Sequence, residues 1–166
     1  MESTTLYFKD NFFSAGETPI TDENGRTLGF LNLHGMFDSG ITVTDASGTP
    51  AAGGKFRFFS NAWIVSDRYG NELGVLKPKF AFFKQRYVYE SSRHRELSIE
   101  SPAFSREYVV RDYRDETVAH FRRINGMFAS GAYELNNRSE LSAEELITVV
   151  MGVHGIMKRQ QAAAAT

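Results

Sequence analysis

The sequence predicts a mainly β protein, a closed antiparallel barrel of about 12 strands that encloses a hydrophobic C-terminal α-helix. Three observations carry this reading. Short β-like runs recur through most of the 166 residues, an Asp-led turn motif returns at a fixed spacing, and one segment near the end is apolar on every face.

The runs lie at 6–8, 28–33, 41–44, 56–59, 63–66, 73–78, 86–89, 97–99, 108–110, 118–124 and 132–135. Several alternate apolar with polar residues, as in Lys55-Phe56-Arg57-Phe58 and Arg86-Tyr87-Val88-Tyr89. That period of two marks a strand with one buried and one wet face. Between the runs stand turn formers: Asp22-Glu23-Asn24-Gly25, Asp45-Ala46-Ser47-Gly48 and Asp67-Arg68-Tyr69-Gly70-Asn71. Their glycines supply the positive φ that a tight reversal needs. Eleven or twelve strands joined this way make an antiparallel sandwich or barrel.

The sequence also repeats itself. Asp22, Gly25, Leu28, Gly29 and Leu31 return at the same offsets as Asp67, Gly70, Leu73, Gly74 and Leu76, and more loosely as Asp112, Asp115, Val118, Ala119 and Phe121. A second motif, Gly-Met-Phe-x-Ser-Gly, occurs at 35–40 and 126–131, about twice the first period apart. Although Asp-x-x-Gly turns are common in β proteins, two motifs sharing one spacing indicate a repeated hairpin unit, as in a sheet closed on itself by similar pieces. Phe37 and Phe128 of the second motif are read as tucked into the core, the alternative being exposed anchors at one rim.

The helix is expected at about 142–160. Ser142-Ala143-Glu144-Glu145 fits a capping box, in which the Ser oxygen accepts the Glu145 amide and the Glu145 carboxylate reaches back. Leu141 and Leu146 stand where a hydrophobic staple would form, and Lys158 and Arg159 would close the last turn against the dipole. From Leu146 to Met157 no charged side chain occurs on any face, so the helix is buried all round or lies in lipid. Twelve residues at 1.5 Å rise span about 18 Å, short of the roughly 20 apolar residues a bilayer requires. A barrel of about eight strands holds only side chains, whereas eleven or twelve leave room for a helix about 10–12 Å across. Gly152 and Gly155 would let the wall approach closely. One domain over 1–161 follows, with 162–166 as a tail.

Composition narrows the function. Nineteen Lys and Arg against twenty Asp and Glu give a net charge of -1, without the basic surplus of a general nucleic-acid binder. Zero Cys excludes disulfides, thiolate metal sites and a Cys nucleophile. The opening MESTTLYFKD lacks the basic-then-apolar layout of a secretory signal, so a cytoplasmic location is expected. His34, His94, His120 and His154 are scattered without metal spacing, and no nucleophile elbow, phosphate loop or dinucleotide fingerprint occurs. No cofactor, metal or catalytic residue is therefore assigned. His154, inside the apolar helix, reads as a neutral imidazole hydrogen-bonded in the barrel interior, with a titrating switch or ligand contact as the sharper alternative.

The candidate binding residues are Lys77, Lys79, Lys84 and Arg86, four cations within ten residues, interleaved with Phe80, Phe82, Phe83 and Tyr87. Such a cluster could hold an anionic lipid headgroup, each cation near the surface contributing about 1 kcal/mol. Arg93-His94-Arg95 and Arg122-Arg123 are further candidates. Because acids balance the charge overall, solvated outer strand faces are the favoured reading of these residues.

The run from Trp63 through Asp67-Arg68-Tyr69-Gly70-Asn71 and Leu73-Gly74-Val75-Leu76 to Lys77-Pro78-Lys79, followed by Phe80 to Tyr89 and the terminal apolar helix, resembles the tubby C-terminal-like superfamily. Within it the resemblance is to the LURP-one-related family and its small single-domain bacterial members, over nearly the whole chain. It implies a twelve-stranded closed barrel threaded by a hydrophobic helix. Relatives include the phosphoinositide-binding tubby proteins and the phospholipid scramblases. The tubby lipid-binding residues do not map onto this sequence residue by residue.

The resulting expectation is a non-enzymatic module, cytoplasmic or peripheral at a membrane, that recognises an anionic lipid or phosphorylated ligand. The alternative is a protein-interaction scaffold with no lipid ligand. An enzyme is least expected, since the helix fills the volume a substrate pocket would need.

Overall fold

A computed structural model describes residues 4–35, 40–102, 105–126 and 129–165. Among them, twelve strands form one closed barrel. They are β1 (Thr4–Phe8), β2 (Gly16–Thr21), β3 (Thr27–Leu33), β4 (Ile41–Asp45), β5 (Pro50–Phe56) and β6 (Trp63–Asp67). Then come β7 (Glu72–Lys79), β8 (Lys84–Ser91), β9 (Leu97–Pro102), β10 (Tyr108–Arg111), β11 (Thr117–Gly126) and β12 (Ala129–Asn137). Each strand pairs antiparallel with the next, and β1 closes the ring on β12 through Thr4↔Asn137 to Phe8↔Tyr133. Phe37 and Phe128 lie outside the described residues.

The turn repeat is physical. Asp22 Oδ1 accepts the amides of Asn24 and Arg26, and Asp67 Oδ1 those of Tyr69 and Asn71. Asp45 accepts from Ser47 and Thr49, and Asp112 from Arg114 and Glu116. One carboxylate oxygen thus holds two turn amides at offsets of two and four, four times around the barrel. Gly25, Gly48 and Gly70 hold the positive φ these turns require; at the fourth, Asp115 takes it with φ 64°. These hydrogen bonds hold the Asp22 carboxyl below its ordinary pKa, the Arg26 amide first. Asp45 and Asp67 are likewise lowered, chiefly by the Ser47 and Asn71 side chains.

Two strands differ from expectation. β2, Gly-Glu-Thr-Pro-Ile-Thr, carries little apolar signal because only Thr18 and Ile20 face inward. β5 is the small-residue run Pro50–Phe56, not 56–59; the chain turns after Phe56, with Arg57 N–H donating to Ala62 O. The expected alternation through Phe58 fails because Phe58 and Phe59 stand in solvent, 83% and 95% exposed.

The helix α1 (Ala143–Ala164) fills the lumen, with every residue from Glu145 to Met157 buried. The inward rows Leu31, Val43, Val65, Leu76, Tyr89, Val110, Phe121 and Leu135 pack in one core cluster with Leu146, Val149, Val150, Val153 and Ile156. Each fully buried aliphatic side chain is worth about 1.5–3 kcal/mol, so the helix supplies stabilisation comparable to a whole domain's net stability of about 5–15 kcal/mol. Trp63 forms the closest interlock. Its Nε1 donates to Thr148 O at 3.1 Å, and its indole lies where a Cβ on Gly54 or on Gly152 would sit. Glycine on wall and helix is therefore what admits the indole between them.

The helix ends differ from the expected pattern. Ser142 Oγ accepts the Glu145 amide at 3.1 Å as a cap should, but the Glu145 carboxylate accepts the Tyr89 hydroxyl at 2.6 Å. Burial and this contact push the Tyr89 hydroxyl pKa far up. The helix also passes Lys158 and Arg159 and continues through Gln-Gln-Ala-Ala-Ala. Arg159 leaves the last-turn role expected of it. Its guanidinium lies 3.5 Å above the Phe56 ring, and Nη1 donates to Ser60 O at 3.2 Å.

Candidate functional site

Strand alternation gives the barrel two unlike rims. The Asp-led turns after β2, β4, β6 and β10 share one rim, where α1 begins. The connections after β5 and β7 share the other, where α1 ends beside Phe56 and Ser60.

The candidate cations stand near this second rim because of register. Lys79 faces Arg86 across β7 and β8, and Arg86 faces Glu100 across β8 and β9. Residues facing each other across adjacent strands project from the same face of the sheet. Lys84 Nζ donates to Glu100 Oε2 at 2.8 Å, and Arg86 Nε and Nη2 donate to Oε1 at 3.0 and 2.8 Å. The Lys84 hydrogen bond, then Arg86, holds the Glu100 carboxyl below the usual carboxylate range. Lys77 instead donates to Glu90 Oε2 at 2.8 Å, with both side chains about half exposed. Lys79 is exposed and makes no ion pair among the described residues.

Lys79, Lys84 and Arg86 converge on one hollow of about 390 Å³, together with Phe80, Tyr87 and, from the helix, Gln160. Lys77 does not line it. Three cations against the single carboxylate of Glu100 leave the hollow with two surplus positive charges. Tyr87 donates its hydroxyl to Gln85 at 3.2 Å, and burial pushes its pKa up to about 12. Without a nucleophile–base pair among these groups, the arrangement can neutralise and hydrogen-bond an anion.

Above the hollow stand aromatic rings in solvent. Phe80, Phe82 and Phe83 are 85%, 85% and 91% exposed, with Phe80 and Phe82 edge to face at 5.2 Å. Phe58 and Phe59 project from the neighbouring hairpin, ring centroids 4.1 Å apart. The reading of 56–59 as strand concealed this second pair. Adjacent aromatics, as in Phe58-Phe59 and Phe82-Phe83, signal it, because neighbouring strand residues cannot share one buried face.

The remaining candidates are dispersed. At the opposite rim His94 approaches Glu140 at 3.5 Å and Arg95 lies 4.1 Å over the Tyr113 ring, beside a cavity of about 380 Å³. Arg122 pairs with Glu134 at 3.1 Å. His34 bonds Thr42 and His120 bonds Glu107. His154 is 3% exposed and stacked on Phe13 at 3.8 Å; burial first, then Lys158 and Arg106, lower its pKa to about 3. No helix among the described residues is long and apolar enough to cross a membrane.

Comparison with known proteins agrees with this architecture. The X-ray structure of a protein from Arabidopsis thaliana is similar with a TM-score of 0.62 at 17% identity, covering 93% of this chain and 91% of that one. No curated protein matches the sequence. The model of the LURP-one-related family matches residues 4–149, from the first strand into the helix. With its twelve-strand barrel, its enclosed helix and that match over most of its length, the chain belongs to the LURP-one-related family.

Proposed function

We propose that the protein is a non-enzymatic binding module that recognises an anionic group, a lipid headgroup or a soluble phosphorylated ligand, in the hollow at Lys79, Lys84 and Arg86. Lys77, neutralised by its pair with Glu90, stands outside the hollow. The observation that supports this reading is the convergence of three cations and Gln160 on one concavity carrying surplus positive charge. The helix supports it further, since its buried side chains occupy the lumen a substrate pocket would use. On this reading the protein acts at the cytoplasmic periphery of a membrane.

The test is co-sedimentation with vesicles of phosphatidylcholine alone or with phosphatidylserine or a phosphoinositide, repeated with inorganic phosphate or a soluble inositol phosphate as competitor. Binding to the anionic vesicles should fall with salt. The triple reversal Lys79→Glu, Lys84→Glu, Arg86→Glu should weaken it at least tenfold, and Lys77→Glu less. A soluble competitor that binds while vesicles do not identifies the free ligand. Unchanged vesicle binding by the triple variant would sink the site. The cross-strand pairs Lys77–Glu90 and Arg122–Glu134, ordinary on a solvated wall, favour the scaffold alternative. That reading takes over if no anion binds and one protein partner co-purifies stoichiometrically.

A further inference from the structure

We infer that the rim carrying the hollow is a membrane-insertion surface, in which the tips of the β5–β6 and β7–β8 hairpins sink their phenylalanines into a bilayer. The C-terminal end of α1 then faces the lipid. The inference rests on the anionic-ligand reading for its orientation, but on separate residues for its contact.

The argument begins with exposure. Five Phe side chains, at 58, 59, 80, 82 and 83, are each 83–95% exposed. A phenylalanine has no polar tip to satisfy in water, and an aromatic side chain carries about 150–250 Å² of buriable surface. Five of them present on the order of 700 Å², divided between two neighbouring hairpin tips of about 300 and 400 Å², each on the scale of the roughly 300–600 Å² of the largest apolar patch on a typical monomer. Such a patch marks a binding surface.

Placement selects the occupant. The two hairpins are neighbours in the barrel, so their tips lie about two strand spacings apart, on the order of 10 Å. The rings therefore form two convex projections; a protein partner would need a separate pocket for each, whereas a fluid bilayer closes around both. Charge agrees, because Arg57, Lys79 and Lys84 flank the rings in sequence, and Arg159 of the helix packs on Phe56 beside them. Cations behind an apolar tip suit an anionic leaflet, with the rings reaching the headgroup–acyl boundary about 5–10 Å deep.

The chain has no Cys, so Phe82→Cys offers a single labelling site for an environment-sensitive NBD fluorophore. Mixing the labelled protein with phosphatidylcholine/phosphatidylserine vesicles should blue-shift and brighten the probe, and lipids brominated along the acyl chain should quench it. Phe80→Ser/Phe82→Ser/Phe83→Ser and Phe58→Ser/Phe59→Ser should each lower vesicle partitioning about tenfold or more. Unchanged circular dichroism is expected, as these rings pack on no core. If the charge-reversal triple loses binding while both Ser variants bind fully and the probe stays wet, the headgroup reading survives and insertion is overturned. Absence of vesicle binding by the unaltered protein overturns insertion, and the anionic-ligand reading falls with it only if the soluble inositol phosphate does not bind either. A Phe-dependent dimer in sedimentation velocity, without vesicle binding, assigns the rings to a second copy and also overturns insertion.

Discussion

Acid should destabilise this protein well before its carboxylates titrate, and His154 should be the reason. The imidazole is 3% exposed, stacked on Phe13, and its pKa is lowered to about 3. In the unfolded chain it returns to about 6.5, so between those values the unfolded state holds a proton the folded state refuses. The His154 contribution is complete above pH 6.5 and erodes as pH falls toward 3, where the folded ring itself protonates. At pH 5 the unfolded ring is nearly all cationic, and the linkage expression gives a loss of about 2 kcal/mol relative to pH 7. With a urea slope of about 1–3 kcal/mol per molar, the midpoint should drop by roughly 1 M. The control is His154→Phe, which keeps a ring against Phe13 but binds no proton. Its stability should fall less between pH 7 and 5, by about 2 kcal/mol, and the difference between the two proteins isolates this ring from every other titrating group. Parallel pH profiles for wild type and His154→Phe would refute the reasoning.

Two further predictions concern the interior. Gly152→Ala would gain about 1 kcal/mol of helix propensity on an exposed helix, but here its Cβ would strike three atoms of the Trp63 indole. Overpacking costs about 1–3 kcal/mol, so net destabilisation and an altered Trp63 emission are expected in urea unfolding. A stabilised variant would place the indole elsewhere. Tyr89→Phe removes the hydroxyl that donates to the buried Glu145 carboxylate and should cost about 1.5–3 kcal/mol in thermal unfolding at neutral pH. A double-mutant cycle with Glu145→Gln should show coupling of at least about 1 kcal/mol; additive losses would mean the bond contributes little.

Much of the barrel was readable because its determinants are local. An uncharged run from Leu146 to Met157 can only be an interior helix or a lipid-embedded one, and its length chooses. An Asp followed by Gly three residues later specifies a turn wherever it occurs, and Asp22, Asp45 and Asp67 all do so. What escaped is non-local. The run Pro-Ala-Ala-Gly-Gly-Lys-Phe looks like a loop until Trp63 is seen occupying the space Gly54 leaves empty. By sequence the Glu145 carboxylate belongs to its own helix end, because its actual partner Tyr89 lies 56 residues away. The same holds for the site. Four clustered cations were visible along one stretch, but their sorting depends on strand register: Lys77 to Glu90, Lys84 and Arg86 to Glu100, Lys79 left to the hollow.

The order of parts along the chain has a consequence for biogenesis. A ribosome delivers β1 first, its sheet partner β12 near the end, and the helix that fills the barrel after every strand. At about 5–20 residues per second, the first strand waits on the order of ten seconds for its mate. Throughout that interval the nascent chain can form only an open, unfilled trough, with Tyr89, Phe121 and Trp63 facing water and one bare strand edge at each side. The barrel closes as a unit only once the filling has arrived.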